Sequence, residues 1–111
     1  MNTFVYNAYV DSIYDGDTIT CTIDCGFGLN LKKQKIRLLG LNAPEMRGDE
    51  REQGIIARDR LRERILEKNI LIKTVKDKKG KYGRYLATIF YRDENINEWL
   101  INNNYAIKAE Y

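Results

Sequence analysis

The hydrophobic pattern changes period once in mid-chain and then changes back. From Asp17 to Cys25, DTITCTIDC, threonine alternates with isoleucine, the period-2 signature of a half-buried strand. Phe4 to Tyr14 before it is rich in aromatic and β-branched residues. Leu29 to Leu39 after it, LNLKKQKIRLL, reads as a third strand, irregular enough to suggest a bulge, and GFG at 26–28 is the turn between. From Gln53 to Lys68 the apolar residues fall instead at Ala57, Leu61, Ile65 and Leu66, one face of a helix whose other face is arginine and glutamate. Asn69 is placed to close that helix in a left-handed conformation. Ile70 to Val75 and Leu86 to Tyr91 return to strand patterns, joined by a basic loop, KDKKGKYGR. Ile96 to Asn103 is a short helix carrying Trp99, Leu100 and Ile101, and Asn104 to Tyr111 is a polar and aromatic tail.

The order is therefore β-β-β-α-β-β-α. Five short strands with a helix between the third and fourth predict a mainly β protein with helices, a five-stranded Greek-key barrel of the OB-fold type. Such a barrel often meets nucleic acid, but fold alone does not give function. At 111 residues and 43% apolar content, one domain over 1–111 with one core is expected, without metals or disulfides as staples. No apolar run reaches the roughly 18 residues of a membrane span. Met1 to Val10 lacks a basic region followed by an apolar one, so no signal peptide is expected.

Cys21 and Cys25 are the only cysteines. Four apart on a strand, they lie ~13 Å from each other, beyond the ~7 Å that a disulfide spans. Free thiols suit a reducing compartment, and with the missing leader they point to the cytoplasm. Histidine is absent, which removes Cys/His zinc sites and every mechanism whose base is histidine. The net charge of +3 is modest, but Lys73 to Arg84 carries six bases and one acid, a local +5. That run is either a solvated loop or a surface facing anions.

Three short stretches hold residues able to do chemistry. In YDGDT, Asp15 and Asp17 flank Gly16; on a straight strand that spacing puts both carboxylates on one face. Asp-Gly is also a hairpin signal, but a turn needs only one acid, and two close carboxylates repel unless a cation or base stands between them. In IRLLGLNAPE, residues 36–45, Arg37 lies inside an apolar run, where an unpaired guanidinium is costly. It should project toward a carboxylate or a phosphate. Pro44 restrains the backbone just before Glu45. In GKYGRYLA, residues 80–87, two glycines permit close approach to a ligand, with Lys81, Arg84, Tyr82 and Tyr85 beside them.

Taken together, DGDT, IRLLGLNAPE and KYGRYLA, in this order and spacing, resemble the staphylococcal nuclease (thermonuclease) family; INEWLINNNYA, residues 96–106, resembles a further segment of it. The similarity runs from about Val10 to Ala106. It implies a five-stranded oligonucleotide-binding barrel, in agreement with the strand order. It further implies a calcium site in which Asp17 is a ligand, Asp15 a supporting acid and Thr18 their neighbour. Arg37 and Arg84 match the arginines that grip the scissile phosphate, Glu45 matches the general base, and Lys81 and Tyr82 match contacts to a neighbouring phosphate. The implied activity is that of a calcium-dependent, or other divalent-dependent, nuclease of the thermonuclease type, breaking the P–O5′ bond and leaving 3′-phosphate ends. Its implied partners are single-stranded or frayed DNA, with RNA as a second candidate, and Tyr82, Tyr85 and Tyr105 offer rings for unpaired bases.

Asn42 departs from the pattern, since the family usually carries an aspartate ligand there. Its carbonyl oxygen can still meet calcium but brings no charge, so weaker calcium binding, or a shift to another divalent ion, is expected. Ala43 replaces a residue whose metal contact is through its backbone carbonyl, which alanine retains. The competing reading is a module on the same barrel that binds nucleic acid or a peptide without cutting.

Overall fold

In the computed structural model, which describes residues 3–79 and 85–109, the meander is β1 (Thr3–Asp15), β2 (Thr18–Asp24) and β3 (Asn30–Leu38). The chain continues through β4 (Leu41–Asn42), a 3-10 turn (Gly48–Glu50) and α1 (Arg51–Ile65). It ends with β5 (Asn69–Lys79), β6 (Tyr85–Tyr91), β7 (Glu94–Asn95), α2 (Ile96–Asn102) and β8 (Ile107–Lys108). The sheet order is β3-β2-β1-β5-β6-β7, and β3 also pairs in parallel with β6. That pairing closes the five long strands into the barrel that the strand order predicts.

Alternation in β2 turns Ile19, Cys21 and Ile23 inward and leaves Thr20 and Thr22 half-buried. Their partners inside include Ile13, Ile36, Leu38, Ile72 and Ile89, all at 2% exposure or less. Ala57, Leu61 and Ile65 bring the buried face of α1 to the barrel, and Ile96 and Leu100 do the same for α2. The irregularity in β3 is a bulge. Cys21 faces Gln34 and Ile23 faces Leu31, so β3 carries an extra residue, and Lys33 takes φ 57°.

Two boundaries differ from the sequence reading. The long helix starts at Arg51 and stops at Ile65 rather than Lys68, and Glu67, not Asn69, takes the left-handed conformation. A bulge in β1 explains the early stop. Val10 there accepts a hydrogen bond from the Glu67 N–H and donates one to the Lys68 carbonyl, so the chain leaves the helix to pair with β1. Asn69 is instead the first residue of β5. That strand also runs on to Lys79, taking in the first four residues of what reads as loop.

Asn97 joins the parts. It is 4% exposed; its side-chain oxygen accepts from the Ile89 N–H, and its amide donates to the carbonyls of Leu39 and Ala87. One side chain thus ties α2 to β6 and to the residue where the chain leaves β3.

Candidate active site

Asp15 pairs with Thr18 across β1 and β2, so Gly16 and Asp17 form a two-residue turn. The two carboxylates are therefore not on one face of a straight strand. Asp15 instead turns back on the turn itself, its Oδ1 accepting the Asp17 backbone N–H at 3.1 Å. Gly16 is not in the left-handed region; its value is space. A Cβ there would stand 2.8 Å from the Ala43 Cβ and 2.9 Å from the Ala57 Cβ. Three small residues bring the turn, the segment after β3 and α1 into contact.

The segment 43–45 is held from the other side as well. A Cβ on Gly54, in α1, would fall 2.3 Å from the Glu45 carbonyl oxygen. Glu50 Oε1 accepts the Glu45 N–H at 2.8 Å. Asp17 Oδ2 accepts the Ala43 N–H at 2.8 Å, and Asp17 Oδ1 accepts from the Thr18 hydroxyl at 3.3 Å. Backbone geometry around Pro44 is thus fixed by the turn and by α1 together.

Arg37 leaves the end of β3 and is 8% exposed. Its Nη1 lies 3.3 Å from Asp17 Oδ2, and its Nη2 donates to Asn42 Oδ1 at 2.6 Å. The anion expected opposite this guanidinium is a carboxylate, joined by an amide. Burial pushes the Asp15 carboxyl up to about 6, helped by its hydrogen bond with Asp17 and by that group's charge. Asp15 and the exposed Glu45 line one hollow of about 310 Å³, with Tyr14, Met46 and Arg47.

The structure therefore brings together Asp15, Asp17, Thr18, Arg37, Asn42 and Ala43, and sets Glu45 in the hollow that Asp15 shares. Lys81, Tyr82 and Arg84 lie outside the described residues. The strand that follows them, β6, sets Leu86 opposite Arg37. Among the described residues no group of three or more histidines, cysteines or acids converges on a point. Glu50, Gly54 and Asn97 are absent from the sequence reading. A glycine inside a helix costs about 1 kcal/mol against alanine, and that cost was the available signal for Gly54.

Residues 35–111 match the sequence profile of the family described as Staphylococcal nuclease homologue. The chain belongs to this family. Over 97 residues this staphylococcal nuclease homologue is 30% identical to a protein of Haemophilus influenzae (strain ATCC 51907 / DSM 11121 / KW20 / Rd) named an uncharacterized endonuclease. The alignment covers 87% of this chain and 49% of that protein. The chain spans about half the length of the curated relative it matches. The family match agrees with the barrel that the strand order and the resemblance imply.

Proposed function

We propose that the chain is a metal-dependent phosphodiesterase that hydrolyses nucleic acid, single-stranded or frayed DNA first and RNA second, leaving 3′-phosphate ends. One observation carries the reading. Three segments distant in sequence, 15–18, Arg37 and 42–45, meet at Asp17, whose carboxylate holds both the Arg37 guanidinium and the Ala43 N–H.

Arg37 is anchored on Asp17 and Asn42 at the end of a closed strand, so its donors are oriented before substrate arrives. A fixed guanidinium stabilises charge growing on phosphoryl oxygens at no cost in reorganisation. Arg84 is its proposed partner on the same oxygens, and Lys81 and Tyr82 are the proposed contacts to the next phosphate. Glu45 is the proposed base. Its carboxylate is exposed, and its backbone is pinned by Glu50 and packed on Gly54. It takes the proton of the attacking water, and no histidine is needed.

The donor set fits a hard divalent ion. Asp15, Asp17, Asn42 and the Ala43 carbonyl offer only oxygens, and the Asp15–Asp17 contact is one that a cation relieves. When bound, calcium or another such ion would neutralise part of the charge on the phosphoryl oxygens.

Two observations favour the non-cleaving module: Asn42 brings no charge, and no third acid joins Asp15 and Asp17 among the described residues. Denatured DNA incubated with the protein, with calcium and then with chelator, separates the two readings. Degradation that needs the cation and is lost in Arg37→Ala and Arg84→Ala supports the phosphodiesterase. A mobility shift with intact DNA overturns it in favour of the module.

A further inference from the structure

The pairing of β1 with β2 slips a second time at Tyr14. Ile13 pairs with Ile19 and Asp15 with Thr18, so β1 has one residue more than β2 between those pairs. An extra residue disrupts the ladder locally and bends the strand. Here the bend decides where two side chains go. Tyr14, at 71% exposure, and Asp15 both line the hollow that Glu45 shares, and Asp15 Oδ1 accepts the Asp17 N–H. A ladder broken at this point does not by itself fix that step.

Arg62, in the last turn of α1, holds it. Its Nε and Nη2 both donate to the Ile13 carbonyl, at 3.1 and 2.7 Å. A guanidinium keeps its donors in a rigid fork, and its charge strengthens the bonds they make. Arg58, Arg60 and Arg64 on the same helix pair with Asp59, Glu63 and Glu94. Arg62 pairs with no carboxylate among the described residues and gives two donors to one backbone oxygen instead. The side chain is half-buried, beside the wholly buried Leu61. The segment of α1 thus meets β1 and its turn at three levels: Ala57 against Gly16, Arg62 on Ile13, and Glu67 and Lys68, just past the helix, on Val10. The middle contact falls on the carbonyl that precedes the bulged residue.

We propose that Arg62 is a positioning residue: by holding the Ile13 carbonyl it sets the Tyr14 bulge, and so the place of the Asp15 carboxylate behind the DGDT turn and beside Glu45. It acts through the backbone and not on the substrate. The inference rests on the phosphodiesterase reading for its effect on cation and cleavage, but not for its effect on the turn. Loss of a group that orients a metal ligand from behind typically lowers metal affinity or activity by roughly 10–100-fold.

Amide-resolved NMR of the full chain without DNA tests it. Arg62→Met keeps an unbranched side chain and loses the donors. In it the Asp17 N–H signal should move upfield and exchange faster with heavy water, as a loosened hydrogen bond does. Arg62→Lys, which keeps a cationic donor, should restore most of the signal. Arg64→Met controls for damage to the helix and should leave the signal in place. Calcium titrated into the same samples should half-saturate at a concentration roughly tenfold higher in Arg62→Met. On denatured DNA in saturating calcium, its kcat should fall by about tenfold with KM nearly unchanged. Should the parent bind no calcium and cleave nothing while Asp17 moves in Arg62→Met alone, the phosphodiesterase reading fails and the positioning of the turn stands. An Asp17 signal unmoved in Arg62→Met, or moved as far in Arg64→Met, overturns the proposal. Should Arg62→Met not fold, Arg62→Gln takes its place with the same two outcomes.

Discussion

Gly54 decides whether Glu45 keeps its place. Two effects oppose each other when it becomes alanine. Helix propensity favours Gly54→Ala by about 1 kcal/mol. Against that, the new Cβ would fall 2.3 Å from the Glu45 carbonyl oxygen, a backbone atom that cannot swing aside. Overpacking of this kind costs roughly 1–3 kcal/mol, occasionally more. Overlap wins, so urea unfolding should show Gly54→Ala less stable than the parent, with cleavage impaired; a gain in stability contradicts the packing. Asn42 makes a second test at this scale. Asn42→Asp adds charge to the proposed ligand set, so the calcium concentration for half-maximal activity should fall; a rise contradicts the proposed place of Asn42 at the cation. The cysteines make a third. Cys21 is wholly buried, and burial, with the charge of Asp11, pushes its thiol up to about 12. Cys25 is exposed. Iodoacetamide at pH 8 should therefore label Cys25 alone in the native protein and both cysteines in denaturant; native labelling of Cys21 contradicts the inward register of β2.

Among the elements, the strands and helices whose period spans several residues could be read from sequence, because burial imposes that period residue by residue. The two-residue strands could not. β4 and β8 pair because Leu41 meets Lys108 and Asn42 meets Ile107, contacts set by the closed barrel and not by local pattern. Nor could the end of α1, where bonds from Val10 in β1 override the preference of Asn69 for a left-handed cap. Arg37 announced an anion through its apolar neighbours, but that Asp17 is this anion depends on the β2–β3 register, which pairs Thr18 with Arg37. Asn97 gave no sign, since its value lies in joining α2 to β6 and to Leu39, just past β3. Asn97→Ala should cost about 1–3 kcal/mol or more, because buried backbone groups lose partners without access to water. Chemical denaturation checks it, and a loss below 0.5 kcal/mol, roughly the size expected at a neutral surface position, contradicts the clamp.

Across the whole molecule, barrel closure makes the site. Parallel pairing of β3 with β6 sets Arg37 beside Leu86, and the β1–β2 turn is pressed by Gly16 onto Ala43 and Ala57. Each motif is weak alone; DGDT and IRLLGLNAPE, closed around one core, share a carboxylate at Asp17. The chain belongs to the staphylococcal nuclease homologues, and on the proposed reading Arg37 serves charge, Glu45 the proton, and Asp15, Asp17 and Asn42 a cation. The most direct measurement is the single-turnover rate of denatured-DNA cleavage in saturating calcium, comparing the parent with Glu45→Gln, both checked by circular dichroism. A folded Glu45→Gln slower by about 100-fold or more is the predicted result, the scale of lost general-base catalysis. Equal rates contradict the account.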